Sequence, residues 1–211
     1  MAPCETVVNE YRVNAPDDIY LDAETLPPEI FTMPDTFTIK QWSDEAYKGV
    51  RMRRIISWHD KYFIDVFAVK SENELKKEWT LHLNSEAQIP SNAEYIGKLS
   101  DKGAQSYIND AYLVKDGSGV IKSEFKKDDL CTDVYTLCDS GCSMIYATGP
   151  DNPANKNVAY LLERTNEKCP VYVNVIETHK GISVISSVEA SLDNGAVSGT
   201  LTQRDGKVKK L

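Results

Sequence analysis

Apolar and polar residues alternate with a period of two along most of this chain, and the pattern is densest between Gly49 and Asn84. Arg51, Arg53 and Arg54 lead into Ile55 and Ile56, which predicts a cationic strand ending at the polar corner Trp58-His59-Asp60-Lys61. Tyr62 to Val69 is apolar at both parities, as expected of a strand covered on both faces. Asp65 interrupts that run on the face of Phe63, Phe67 and Val69, where a carboxylate needs a cation, a metal or several hydrogen bonds. In the next strand, Lys76 to Leu83, alternation puts Trp79, Leu81 and Leu83 on one face and Glu78, Thr80 and His82 on the other.

The same rhythm continues on both sides. Residues 1–35 hold five of the nine prolines, so they predict an extended connector with room for one edge strand through Val7, Val8, Tyr11 and Val13. Thr36 to Trp42 reads as a half-buried strand. Downstream, strands are expected over Tyr107–Val114, Val120–Phe125, Asp133–Cys138, Ser143–Thr148, Val158–Arg164, Val171–Thr178, Ile182–Ala190 and Ala196–Gln203. Lys115-Asp116-Gly117-Ser118-Gly119 and Asp139-Ser140-Gly141 read as turns between them, and Asp193-Asn194-Gly195 as a tight hairpin. His179, beside Lys180-Gly181, reads as a corner residue. No stretch carries a capped helical stripe, and the one helix-like patch, Ser71 to Lys77, is short and polar. About a dozen short strands at regular spacing predict an all-β fold, a large antiparallel β-sandwich over residues 36–211.

Charge narrows the partners. A formal net charge of −8 argues against bulk attraction to nucleic acid or to an anionic membrane, and no apolar run is long enough to span a bilayer. Contact with an acidic polysaccharide would have to be local, at the Arg51-Arg53-Arg54 cluster; the competing reading is solvated positions plus an internal partner for Asp65. Five cysteines, at 4, 131, 138, 142 and 169, match no zinc spacing. One bridge among Cys131, Cys138 and Cys142 is open to a chain that meets an oxidising compartment, while small buried hydrophobes are the favoured reading. The N-terminal MAPCETVVNEY has no basic region followed by an apolar core, so it does not read as a signal peptide.

The order Arg-Arg, hydrophobic strand, Tyr-Phe-x-Asp-Val-Phe and Trp-x-Leu-His carries a resemblance, extended by Ile145–Pro150, Tyr160–Arg164 and Val173–Glu177. Over roughly residues 36 to 190 the chain resembles the C-terminal β-sandwich domain of bacterial heparinase II/III-like polysaccharide lyases. That family cleaves uronic-acid-containing glycans, glycosaminoglycans among them, by β-elimination. Its catalytic residues sit mainly on an α/α-toroid, and no toroid is found in this sequence. The resemblance therefore implies a scaffold and cleft wall, inactive alone, with the toroid as missing domain or partner chain. It also implies a periplasmic or extracellular location. The alternative is a stand-alone carbohydrate-binding or surface structural module.

No catalytic residue is assigned. Some relatives hold a divalent metal through a His-Asp-His set, and Asp65 and His82 match two of those positions by resemblance, an oxygen and nitrogen pair suited to zinc. The third histidine is missing, since residues 1–58 contain none, and His59 lies on a corner. Without a metal, Asp65 is expected to pair with Arg51, Arg53 or Arg54 or to hydrogen-bond His82, and His82 to be a hydrogen-bonded core histidine. Substrate-contact candidates are Arg51, Arg53, Trp58 and His59. Trp58 is the tryptophan expected at the surface and Trp79 the one in the core.

Overall fold

A computed structural model describes residues 6–15, 17–25, 49–72, 76–151, 156–165, 167–193 and 195–211. Among the described residues, fourteen strands, all paired antiparallel, and one 3-10 turn at Ala104–Tyr107 make up the regular structure. They are β1 (Thr6–Ala15), β2 (Asp18–Thr25), β3 (Val50–His59), β4 (Tyr62–Ser71), β5 (Lys77–Leu83), β6 (Glu86–Ala87) and β7 (Glu94–Gly97). Then come β8 (Asn109–Lys127), β9 (Leu130–Pro150), β10 (Asn157–Thr165), β11 (Val171–Lys180), β12 (Ile185–Asp193), β13 (Ala196–Gln203) and β14 (Val208–Lys210).

The long β8 and β9 hairpin generates the sandwich. Its C-terminal β8 half and N-terminal β9 half pair with β11 and β6, in a layer continuing through β4, β3, β2 and β1. Beyond the bend the same two strands pair with β10 and β7, in a second layer that ends at β5. Between the layers lies the main core, with Phe125, Val134 and Tyr172 from the first packed on Trp79, Met144, Tyr146 and Leu161 from the second. Each such large buried side chain contributes about 1.5–3 kcal/mol.

Both outer faces are partly covered as well. A small sheet, β12-β13-β14, brings Ile185 and Leu201 onto Tyr62, Ile64, Tyr135 and Val175. This explains the doubly apolar β4, with Phe63, Phe67 and Val69 facing the main core and Tyr62, Ile64 and Val66 facing the small sheet. On the far side, Leu99 and Ile108 cover Ile145, Val158 and Leu162.

Three sequence expectations are corrected. Lys115–Gly119 and Asp139–Gly141 are not hairpin turns but the points where β8 and β9 bend from one layer to the other; the register skips between Val114 and Gly119. The hairpin between these strands is closed at Asp128-Asp129 instead, with Asp128 at φ 54. The segment predicted as a connector with one edge strand carries two strands, β1 pairing with β2 and β2 with β3. Third, Cys138 and Cys142 are buried yet bridged to each other, while Cys131 and Cys169 are free thiols. The strand expected over Thr36–Trp42, the 35/36 boundary and the centre of the Ser71–Lys77 patch lie outside the described residues.

Gly117 shows why the bend needs a glycine. A Cβ there would lie 2.7 Å from Cys138 Sγ and 2.8 Å from Ile121 Cδ1. Gly117→Ala should therefore lower stability by about 1–3 kcal/mol through overpacking, read as an earlier urea midpoint.

Candidate functional site

The end of the β3-β4 hairpin meets the β13-β14 turn, and the seam encloses a cavity of about 600 Å³. His59 closes β3 and Tyr62 opens β4, with Asp60 at φ 37 making the sharp corner between them. Their rings lie 5.4 Å apart. Across the cavity stand Ser183, Gln203, Arg204, Asp205 and Lys207.

His59 is held on three sides. Ser57 Oγ lies 2.7 Å from Nε2, Lys209 Nζ 2.6 Å from the same nitrogen and Asp18 Oδ1 3.6 Å from Nδ1. Burial first, then the Lys209 charge, push the imidazole below its ordinary pKa, with Asp18 opposing. Neutral at physiological pH, it accepts from Lys209, so its lone pair is not free to take a proton from a ligand. Burial likewise pushes the Tyr62 phenol up, which keeps it protonated. Arg204 is fixed by donating to the Ser183 carbonyl at 2.8 Å, and Lys207 pairs with Asp205 at 2.8 Å. This chemistry suits holding a hydroxylated or acidic ligand rather than breaking its bonds.

The predicted contact residues do not share one surface. Alternation along β3 puts Arg51, Arg53 and His59 on one face and Trp58 on the other, stacked on Phe63 at 5.6 Å. Trp58 is 42% exposed and Trp79 only 3%. Arg51 and Arg53 line a separate cavity of about 240 Å³ with Lys70 and Cys169, at the opposite end of β3 from His59. Arg53 is committed to buried Asp22 through two bonds of 3.0 and 2.6 Å. Arg54 is committed to Asp65 in the same way, at 2.9 and 2.7 Å. Of the three arginines, Arg51 alone makes no ion pair with a described residue.

Asp65 and His82 are not brought together. Asp65 is buried between the layers, where Trp79 Nε1 crosses from β5 to donate to Oδ2 at 2.9 Å. The alternation that aims Trp79 at Asp65 turns His82 outward, exposed and stacked on Tyr160 at 4.4 Å. The expectation of a core histidine is corrected accordingly. Neither residue belongs to a metal-competent group of three among the described residues. His179 is corrected too: it lies within β11, opposite Cys131, with Nε2 3.3 Å from Asp133.

Sequence reasoning missed Glu163, a carboxyl on the interlayer face of β10 beside Cys138 and Cys142. Burial pushes its pKa up to about 8, and Oε2 has no hydrogen-bond partner. The signal was present in the alternation of Ala159, Leu161 and Glu163.

No family model matches the chain, and no curated protein does. Solved structures do match. A crystal structure of a mutant heparan sulfate lyase HepC from Pedobacter heparinus superposes with a TM-score of 0.59 at 12% identity, over 98% of this chain and 27% of that one. A second structure, of HepC from the same organism, gives 0.56 at 12% identity over the same shares. The chain thus spans about a quarter of the length of these lyases. Its fold is that of a β-sandwich found in these heparan sulfate lyase structures.

Proposed function

We propose that the chain is the β-sandwich portion of a polysaccharide lyase acting on uronic-acid-containing glycans by β-elimination. It serves as scaffold and as one wall of a cleft, with an α/α-toroid on another domain or chain as the other wall. The observation that carries this is coverage: nearly all of this chain matches a minority of a heparan sulfate lyase. The state of His59 and Tyr62 adds to it, because neither is poised to abstract a proton. An acidic polysaccharide would meet Arg51 at one end of β3 and Arg204 and Lys207 at the other. The Cys138–Cys142 bridge supports passage through an oxidising compartment, in keeping with a periplasmic or extracellular place of action. Among the described residues, no helix is long and apolar enough to cross a membrane.

A second reading, a stand-alone carbohydrate-binding module, is favoured by one observation: the cavity of about 600 Å³ gathers Tyr62, Gln203, Arg204 and Lys207, aromatic and polar groups of the kind that hold a sugar. Absorbance of the unsaturated uronate separates the readings when combined with calorimetry on heparan sulfate, hyaluronan and alginate oligosaccharides. The isolated chain is expected to give no turnover and weak, salt-sensitive binding. Tight binding without turnover favours the module. Turnover lost in His59→Ala or Tyr62→Phe overturns both.

A further inference from the structure

On the outer face of the first layer, β8, β9 and β11 set carboxylates in single file. Register places Glu177 opposite Asp133 and Asp133 opposite Glu124. In the adjacent rung His179 lies opposite Cys131. Asp133 is 1% exposed, with Oδ1 3.6 Å from Cys131 Sγ and Oδ2 3.3 Å from His179 Nε2. One ligand atom from each of Cys131, Asp133 and His179 lies within 4.8 Å of the other two. His179 is 12% exposed, and its Nδ1 is buried without a partner.

The charge around this cluster does not balance. Lys122 Nζ reaches Glu124 at 2.7 Å and Asp133 at 2.9 Å, whereas Glu177 is held by Ser183 and by the backbone of Val184 and Ile185. Three carboxylates against one ammonium leave the surroundings of the cluster net negative, which favours a cation over an anion. A nucleophilic thiol does not fit the same geometry. Cys131 faces a carboxylate rather than the imidazole, and burial together with Asp133 pushes the thiol up.

The geometry points to a tridentate site for a zinc-class divalent cation, made by Cys131 sulfur, an Asp133 oxygen and a His179 ring nitrogen. Sulfur, nitrogen and oxygen donors from three residues suit zinc or cobalt and leave a fourth position on the solvent side. Calcium and magnesium, which take oxygen ligands, do not match. Binding displaces the thiol proton, so the cation replaces the weak Cys131–Asp133 contact with two strong bonds. The strands preform the site, because Cys131 and Asp133 share one face of β9 and β11 delivers His179 from across the ladder.

The test is titration of chelator-dialysed full chain, disulfide intact, with cobalt and then zinc. One equivalent of cobalt is expected to bind with a thiolate-to-metal charge-transfer band, zinc is expected to displace it, and zinc should raise the Tm. Cys131→Ser removes the band, and zinc affinity falls at least about tenfold in both Cys131→Ser and His179→Gln. Circular dichroism checks that both variants are folded, while Cys169→Ser and His82→Ala keep the parent's affinity. Absence of saturable uptake below about 1 mM metal overturns the site. So does parent-like zinc affinity in either Cys131→Ser or His179→Gln.

Discussion

Replacing Asp65 with alanine is expected to destabilise the protein by about 3 kcal/mol, the lower end of the usual range for breaking a buried ion pair. Asp65 is 1% exposed and accepts two bonds from Arg54 and one from Trp79. Removing it strands the indole N–H between the layers, whereas the Arg54 guanidinium is half exposed and recovers part of its hydration. Asp65→Asn keeps the shape and one acceptor, so it should lose less. Asp205→Ala, on the exposed β13-β14 turn, should leave the midpoint nearly unchanged. Urea melts of the three variants at neutral pH decide the matter. Equal midpoints for Asp65→Ala and Asp205→Ala would remove Asp65 as the tie between the layers.

Glu163→Gln is expected to stabilise the protein, and to do so more as pH rises. The Glu163 carboxyl has a folded pKa of about 8 against an ordinary 4.5, raised by burial. A native state that holds its proton longer than the unfolded chain is at full stability below about pH 4.5. It loses stability through the window up to about pH 8. The loss over that window is on the order of 3–5 kcal/mol. Glutamine cannot ionise, so the variant should match the parent near about pH 4 and exceed it most near about pH 8. Parallel stability curves across that range would show that Glu163 ionises in the native state much as it does in the unfolded chain.

Alternation made much of the layout legible. It separated Trp79 from His82, aimed Asp65 inward with Phe63 and Phe67, and exposed β4 as a strand covered twice. It also limited the cation for Asp65 to three arginines, of which Arg54 shares the required face. The bends at Gly117 and Gly141 were misread because a kink between layers and a hairpin turn use the same chemistry, and only long-range pairing tells them apart. The Cys131, Asp133 and His179 group lacked a spacing signature because His179 lies 46 residues from Asp133 and meets the other two only through the β9-β11 ladder. A Cys-x-Asp alternation in a strand was the one local hint.

The order in which partners leave the ribosome follows from the sheet topology. Ala68 on β4 must wait for Val171, and Leu83 on β5 for Ala159, while the β8-β9 hairpin that both layers share is made between them. The free edge of β4 and the whole of β5 therefore stay open for much of synthesis, although β1 to β4 pair with one another in sequence. Refolding from denaturant should accordingly run on the millisecond-to-second scale of long-range β-proteins, with β8 and β9 pairing before β4 and β5 find their neighbours.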